Sequence, residues 1–317
     1  MGAREESSTS DVVWAFSFLT FVAVSKTLLT KFVFTHVDTP VAFSVLSCVA
    51  TIVLISLIFV VHPASFGWIR REMLVGFFGV SAAIALDLGC TNVAISELSV
   101  AMQQTIKATS PAATVLLEVA FMRKCHHPVI FVLVGLLCVG SVLVKWGSRD
   151  YDATVYGMVM MIVAVVSGAF KYVMAHAMIR NFRDDLGVLA FTFWIEILVA
   201  LMLAPWAILN GEAERLIFGG AVSSTTDWGL LWFTGAYGGV RIFSQFALLK
   251  HTSATTLALS NVTIQALTTI LGIVLFSTPV TPFLVAGVST TLIATAGYTY
   301  VKTAKVFGSE PTSTMLI

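Results

Sequence analysis

Charged residues are scarce in this chain of 317 residues. Asp, Glu, Lys and Arg make up 11% of it, against about 25% in an average soluble domain, and hydrophobic residues make up 57%. This composition excludes a soluble globular protein. Because about 20 apolar residues are needed to cross a bilayer, the chain has room for roughly ten crossings and for no soluble catalytic domain.

An excess of one sign of charge is also missing, and so are common catalytic motifs. The 18 Lys and Arg residues nearly balance the 17 Asp and Glu residues, which argues against nucleic acid as a partner. No Ser-His-Asp arrangement and no HExxH motif is present, so we expect no enzyme. The cysteines form no CxxC pair, and Cys125-His126-His127 cannot complete a tetrahedral metal site at a helix end. We predict neither a metal nor another cofactor.

What the sequence does contain is a series of long apolar runs, separated by turn residues and charges. Their length and uniform apolarity predict helices that cross a lipid bilayer. We therefore expect an all-α polytopic membrane protein with ten transmembrane helices. The predicted spans are 12–35, 40–62, 68–89, 94–122, 127–146, 155–179, 187–209, 226–249, 254–277 and 281–303.

The basic residues near the predicted helix ends are unequally distributed between the two sides of the membrane. Ten of them lie on the side of the termini and four on the opposite side. Because Lys and Arg accumulate in cytoplasmic loops, we expect both termini in the cytosol.

A few charged residues interrupt the apolar spans. A charge inside a span costs at least about 2.5–3.5 kcal/mol on insertion scales, so such residues normally face a cavity or one another. Their number in one chain predicts a polar pathway through the helices. They are Lys26, Asp87, Lys107, Glu118, Lys171, Glu196 and Arg241.

Two features suggest an internal duplication. Thr105-Ile106-Lys107-Ala108 in the fourth span recurs as Thr263-Ile264-Gln265-Ala266 in the ninth, and Lys26 and Lys171 occupy similar depths in the first and sixth spans. Five spans per half would make the two halves oppositely oriented. We expect two inverted five-helix repeats at 12–150 and 151–305, with cytosolic tails at 1–11 and 306–317.

A short motif in the eighth span predicts close helix packing. Gly235 and Gly239 form GxxxG, which lets two helix backbones approach closely. We expect its partner to be a helix of the same chain. A homodimer face is the alternative.

The fourth span has polar residues clustered near its centre, where lipid would disfavour them most. Pro111 has no amide hydrogen, so we expect the carbonyl of Lys107, four residues earlier, to lack its helical partner. A free carbonyl beside an ammonium group suggests a ligand site. In the alternative interpretation the proline only kinks the helix, and Lys107 pairs with Asp87 or Glu118.

Several stretches of this chain resemble known transporters. The sequence SVAMQQTIKATSPAATVLL, the preceding Thr91-Asn92 and FKYVMAHAMI are similar to the triose-phosphate translocator and nucleotide-sugar transporter families of the drug/metabolite transporter superfamily. The resemblance covers roughly residues 12 to 305. It implies a ten-helix inverted-repeat exchanger, which swaps an organic phosphate or nucleotide sugar for phosphate or a nucleoside monophosphate.

The resemblance also suggests binding residues. The substrate-binding Thr of the family matches Thr91, and its phosphate-binding Lys matches Lys107. A family histidine is replaced by Leu88, and with Asn261 as the anchor, a Lys-Arg pair of triose-phosphate translocators falls on Ile264 and Gln265.

Two more family positions carry cations in this chain. A family tyrosine falls on Arg241, and an Arg-Trp pair becomes Lys171-Tyr172. We predict a substrate-binding set of Lys26, Thr91, Gln104, Thr105, Lys107, Lys171, Tyr172, Arg241, Asn261 and Gln265.

The missing Lys-Arg pair makes a compact phosphate dianion a poorer substrate than a nucleotide sugar, whose base and sugar can bind amides and aromatics such as Tyr237. We therefore expect an antiporter that works by alternating access. It would exchange an anionic organic phosphate, either a nucleotide sugar or a sugar phosphate, for a nucleoside monophosphate or inorganic phosphate.

Other functions stay open. They are a triose-phosphate/phosphate translocator of a plastid envelope, a carrier of uncharged or cationic solutes, and a membrane regulator that transports nothing. Residues 1–10 lack the Arg-rich character of a transit peptide and include Glu5 and Glu6. We therefore expect the Golgi or endoplasmic reticulum membrane rather than a plastid envelope.

Overall fold

The computed structural model describes most of the chain, and that part contains helices and no strand. The described residues are 9–107, 109–110, 113, 117, 128–147, 154–181, 186–220, 222, 224–251, 254–275 and 280–303. Their α-helices are α1 (Thr9–Phe34), α2 (Pro40–Val61), α3 (Leu74–Glu97), α4 (Val100–Lys107), α5 (Pro128–Gly147), α6 (Val155–Asn181), α7 (Val188–Leu209), α8 (Glu212–Ile217), α9 (Thr225–His251), α10 (Ala254–Leu275) and α11 (Pro282–Thr303).

Five segments in this part are long and apolar enough to cross a membrane, and they cover all or most of α1, α2, α3, α6 and α7. Each of the ten predicted spans overlaps a helix. The expected all-α membrane fold is therefore supported, while the number of crossings stays a prediction.

Proline marks the beginning of three of the helices. Pro40, Pro128 and Pro282 each stand at the first residue of α2, α5 and α11. The first amide of a helix has no partner within the helix, so a residue without an amide hydrogen costs nothing there.

The third helix lies further along the chain than its predicted span, 68–89. Two short 3₁₀ turns, Pro63–Ser65 and Arg71–Met73, precede it, and it continues to Glu97. The predicted span stops at residue 89, whereas Cys90, Thr91 and Asn92 are also helical. Their side chains are buried among other helices, where Asn92 Nδ2 donates to Ser44 Oγ at 2.7 Å.

The helices pack in a pattern that has an internal equivalence. The main contacts join α5 to α11, α3 to α6, α1 to α9, α2 to α9, α3 to α7, α2 to α7, α4 to α10, α1 to α10 and α4 to α6. Each helix of the first half has a counterpart in the second: α1 corresponds to α6, α2 to α7, α3 to α9, α4 to α10 and α5 to α11. When every helix is replaced by its counterpart, the same set of contacts results. Two equivalent five-helix units would give such a pattern. The boundary at residue 150 stays a prediction.

Aromatic side chains form part of the core where α7 packs against α3 and α9. Phe191 of α7 lies between Phe77 of α3 and Phe246 of α9, with ring centroids 5.1 and 5.0 Å apart. All three are buried. This contact fixes α3, α7 and α9 around the cavity described below.

The GxxxG motif packs inside the chain. A Cβ atom added to Gly235 would lie 2.9 Å from Cα of Ser47, and one added to Gly239 would overlap the side chain of Thr51. Ser47 and Thr51 are one helical turn apart on α2, as the glycines are on α9. The expected partner within the chain is therefore confirmed.

This contact predicts that Gly239→Ala destabilises the protein by about 1–3 kcal/mol, because the added methyl group overlaps Thr51. Gly229→Ala in the same helix is the matched control. Its added Cβ meets no atom within 4 Å, and alanine should stabilise the helix by up to about 1 kcal/mol. Thermal unfolding of both variants in detergent measures the difference, and equal unfolding temperatures would contradict the contact.

Candidate functional site

A cavity lies among seven helices, α1, α2, α3, α4, α6, α7 and α9, so both predicted halves contribute to it. Its charged lining consists of four basic and two acidic residues. They are Lys26 on α1, Asp87 on α3, Lys107 on α4, Lys171 on α6, Glu196 on α7 and Arg241 on α9. With all six ionised, the lining carries a formal charge of +2. The cavity is therefore suited to an anion.

One acid and one base of the lining form an ion pair. Asp87 Oδ2 accepts from Lys171 Nζ, and both residues are buried. Thr91 Oγ1 donates to Asp87 Oδ1 at 3.3 Å, one helical turn along α3. Lys171 Nζ also lies 4.7 Å from the ring centroid of Tyr172. The ion pair that the structure shows for Asp87 is with Lys171, while Asp87 also interacts electrostatically with Lys107.

The backbone carbonyl of Lys107 is not free, and our expectation that it would be free is wrong. It accepts from Ser110 Oγ at 2.6 Å and from Gln265 Nε2 of α10 at 3.1 Å. Pro111 itself lies outside the described residues. The hydrogen bond from Gln265 to this carbonyl therefore joins α4 to α10. Lys107 also lines the cavity.

Asn261 and Gln265 of α10 stand behind the lining rather than in it. Asn261 Nδ2 donates to Tyr172 Oη at 3.1 Å, and Gln265 donates to the Lys107 carbonyl. Each therefore supports a residue that lines the cavity. Ile264, where the resemblance places a cation, is also buried.

The structure brings six of the ten predicted binding residues together in the lining. These are Lys26, Thr91, Lys107, Lys171, Tyr172 and Arg241. The side chains of Gln104 and Thr105 lie outside the described residues, as do Glu118 and the Cys125-His126-His127 cluster. Within the described residues there is no group of His, Cys, Asp and Glu that could hold a metal ion.

Arg241 adds a guanidinium group to the lining of the cavity. Its Nε is buried and has no hydrogen-bond partner in the part of the chain that the structure describes. The absence of a partner leaves this group available to a ligand.

Sequence reasoning did not assign Glu196 and Cys48 to the site, although Glu196 stood out as a charge within a span. The Cys48 thiol on α2 and the Glu196 carboxyl on α7 interact with each other, and both residues are buried. Oε1 of Glu196 has no partner among the described residues. Tyr237, expected as an aromatic contact, stacks on Phe233 at 5.9 Å and is not part of the lining.

Polar contacts join helix ends on one side of the cavity. Lys31 Nζ donates to the carbonyls of Ile95 and Leu98 at 2.7 and 2.9 Å, which satisfies acceptors at the end of α3. Glu212 Oε2 accepts from the amides of Val41 and Ala42 at 2.6 and 2.9 Å. This carboxylate therefore caps the beginning of α2 from a distant part of the chain.

Comparison with known proteins identifies the family of this chain. A model of the Triose-phosphate Transporter family matches residues 11–299. The chain belongs to this family. The resemblance seen in the sequence is thereby confirmed, and with its apolar helices the chain is a multi-pass membrane protein.

Individual relatives are distant. Solute carrier family 35 member E4 of Rattus norvegicus is 28% identical over 70% of this chain and 61% of its own length. A probable sugar phosphate/phosphate translocator of Arabidopsis thaliana is 23% identical over 73% of this chain and 63% of its own length. The chain therefore spans less than two thirds of these two relatives.

A third relative and a solved structure extend the comparison. UDP-uronic acid transporter 1 of Arabidopsis thaliana is 22% identical over 65% of this chain and 67% of its own length. A crystal structure with 14% identity matches 95% of this chain and 100% of its own with a TM-score of 0.65. At that identity it supports the fold alone.

The Tyr172–Asn261 hydrogen bond predicts a stability effect. Tyr172→Phe should destabilise the protein by about 0.5–1.5 kcal/mol, because Asn261 loses its acceptor. Tyr237→Phe is the matched control, since the Tyr237 hydroxyl has no hydrogen-bond partner within the described ranges. Unfolding temperatures in detergent compare the two, and an equal effect would contradict the role of the bond.

Proposed function

We propose that this protein is a secondary transporter that exchanges anionic organic phosphates across a membrane by alternating access. The observation that carries the proposal is the cavity with four basic and two acidic residues. An isolated charge is very costly in a low-dielectric interior. A cavity with an excess of two positive charges is most stable when it holds two negative charges.

Substrates with two negative charges fit this requirement. A nucleotide sugar carries them on its pyrophosphate, and a sugar phosphate carries them on one phosphate group. A relative named for sugar phosphate/phosphate exchange supports the second class. A relative named for UDP-uronic acid transport supports nucleotide sugars, although the carboxylate of a uronic acid adds a third negative charge. The exchanged anion would be a nucleoside monophosphate or inorganic phosphate, which can carry a similar charge.

The neutral polar lining favours the larger substrates. Amides and hydroxyls of Thr27, Asn92, Gln103 and Gln245 line the cavity beside the charged groups. A compact triose phosphate would leave most of them without a ligand partner, whereas a sugar and a base offer several donors and acceptors. The Lys-Arg pair of triose-phosphate translocators is absent from α10, where Gln265 binds the Lys107 carbonyl instead.

Alternating access requires two units that move against each other around the substrate. The proposed units are residues 12–150 and 151–305, and the contact pattern that maps onto itself supports them. Lys26 and Lys107 belong to the first unit, and Lys171 and Arg241 to the second. A bound anion would therefore be held by both units. Cytosolic termini and residence in the Golgi or endoplasmic reticulum membrane are part of the same proposal.

The direct test is uptake into liposomes that contain the purified protein. The external labelled substrates are phosphate, triose phosphate and a panel of nucleotide sugars, and the liposomes are preloaded with phosphate or with nucleoside monophosphates. Uptake of a nucleotide sugar only against an internal monophosphate would support the nucleotide-sugar antiporter. Efficient exchange of triose phosphate for phosphate would favour the triose-phosphate alternative, and no flux of any substrate would favour a regulator.

Lys107→Gln tests the site itself. The exchange rate should fall about 10- to 100-fold, because a hydrogen bond to a charged group contributes about 1.5–3 kcal/mol. Arg215→Gln, which removes a cation from the exposed surface of α8, is the control. A Lys107→Gln protein that exchanges anions at the wild-type rate would contradict the proposed site.

A further inference from the structure

Asp87 interacts with every basic residue of the cavity. It forms the ion pair with Lys171, and it also interacts electrostatically with Lys107 and Arg241. Lys26 interacts with Asp87 as well. All four cations of the lining are therefore close enough to this one carboxylate to feel its charge.

Glu196, the second acid of the lining, is placed differently. Among the four cations it interacts only with Lys26, and its other interaction is with Cys48. Glu196 therefore acts on one cation of the lining, whereas Asp87 acts on all four.

The surroundings of Asp87 hold its carboxylate in that position. Thr91 Oγ1 donates to Oδ1 from the next turn of α3. On α6, Gly168 faces the carboxylate, and an added Cβ would lie in ordinary van der Waals contact with it, 3.5 Å from Asp87 Cγ. The carboxylate is thus a fixed anion at the place where a substrate phosphate would meet the same cations.

We propose that Asp87 is a built-in counter-anion that sets the preference of the cavity for substrates with two negative charges. This inference rests on the proposed function. With Asp87 ionised, a dianion brings the charge of the lining to zero, whereas a trianion leaves one negative charge in excess. Without the Asp87 charge, the trianion becomes the substrate that neutralises the lining. The cost of an uncompensated charge is large in this environment, so the preference should follow the charge count.

Two variants shift the charge in opposite directions. Asp87→Asn keeps the size of the side chain and removes its negative charge, and Lys171→Gln removes one positive charge. The probes are inorganic phosphate and pyrophosphate, used as competitors of exchange in magnesium-free buffer near neutral pH. These anions differ in charge and carry no base or sugar. Their binding is also measured from the thermal shift of the detergent-solubilised protein.

In Asp87→Asn we expect inhibition by pyrophosphate to strengthen about tenfold relative to inhibition by phosphate. In Lys171→Gln we expect inhibition by phosphate to strengthen by a similar factor relative to inhibition by pyrophosphate. Glu196→Gln, which removes a buried carboxylate that acts on one cation of the lining, should shift the ratio of the two inhibition constants less than about threefold. A purely structural ion pair would lower stability in both single variants and leave the ratio unchanged.

The outcomes separate this inference from the function on which it rests. Wild-type protein that exchanges no anion of the panel overturns the proposed function and this inference together. Active wild-type protein whose ratio stays the same in both variants overturns the inference alone. If Asp87→Asn does not fold, Lys171→Gln still decides: a shift toward phosphate supports the inference and an unchanged ratio overturns it.

Discussion

The balance of charge inside an apolar helical bundle is the constraint on which this structure depends. Six ionisable side chains line one cavity within helices whose outer surfaces are largely apolar. In such surroundings each charge must meet a partner, a polar group or a ligand. The Asp87–Lys171 pair meets part of this need. The remaining excess of positive charge is what suits the cavity to an anion.

Several hydroxyl groups of the bundle, including some that line the cavity, are satisfied within their own helices. Hydroxyl groups of Thr27, Thr30, Ser47 and Thr51 each donate to a carbonyl four residues earlier in their own helix. A hydroxyl bonded in this way costs little in a membrane. The glycines of α9 then let these helices approach closely. Polar composition alone therefore does not mark a binding residue, and the long basic side chains that reach the cavity are the better signal.

The positions of the helices could largely be predicted from the sequence, because apolar length is a local property. The third helix was predicted to end at residue 89, before the polar pair Thr91-Asn92, whose burial between other helices only the packing reveals. Lys26, Lys107, Lys171 and Arg241 stood out as charges inside spans. Their pairing could not be predicted, because the partner of Lys171 is 84 residues away along the chain. The bond from Gln265 to the Lys107 carbonyl likewise depends on the packing of α4 against α10.

The same charge balance gives a reason for exchange. Without a bound anion, the cavity would have to switch its opening from one side of the membrane to the other while carrying an excess of positive charge. With a bound dianion, it would make the same switch as a neutral cavity. The most direct measurement is efflux of labelled substrate from liposomes into buffer with and without an external anionic substrate. We predict efflux at least about tenfold faster with the external anion, since each tenfold change in rate needs only about 1.4 kcal/mol. Equal rates in the two buffers would contradict the role of charge balance in transport.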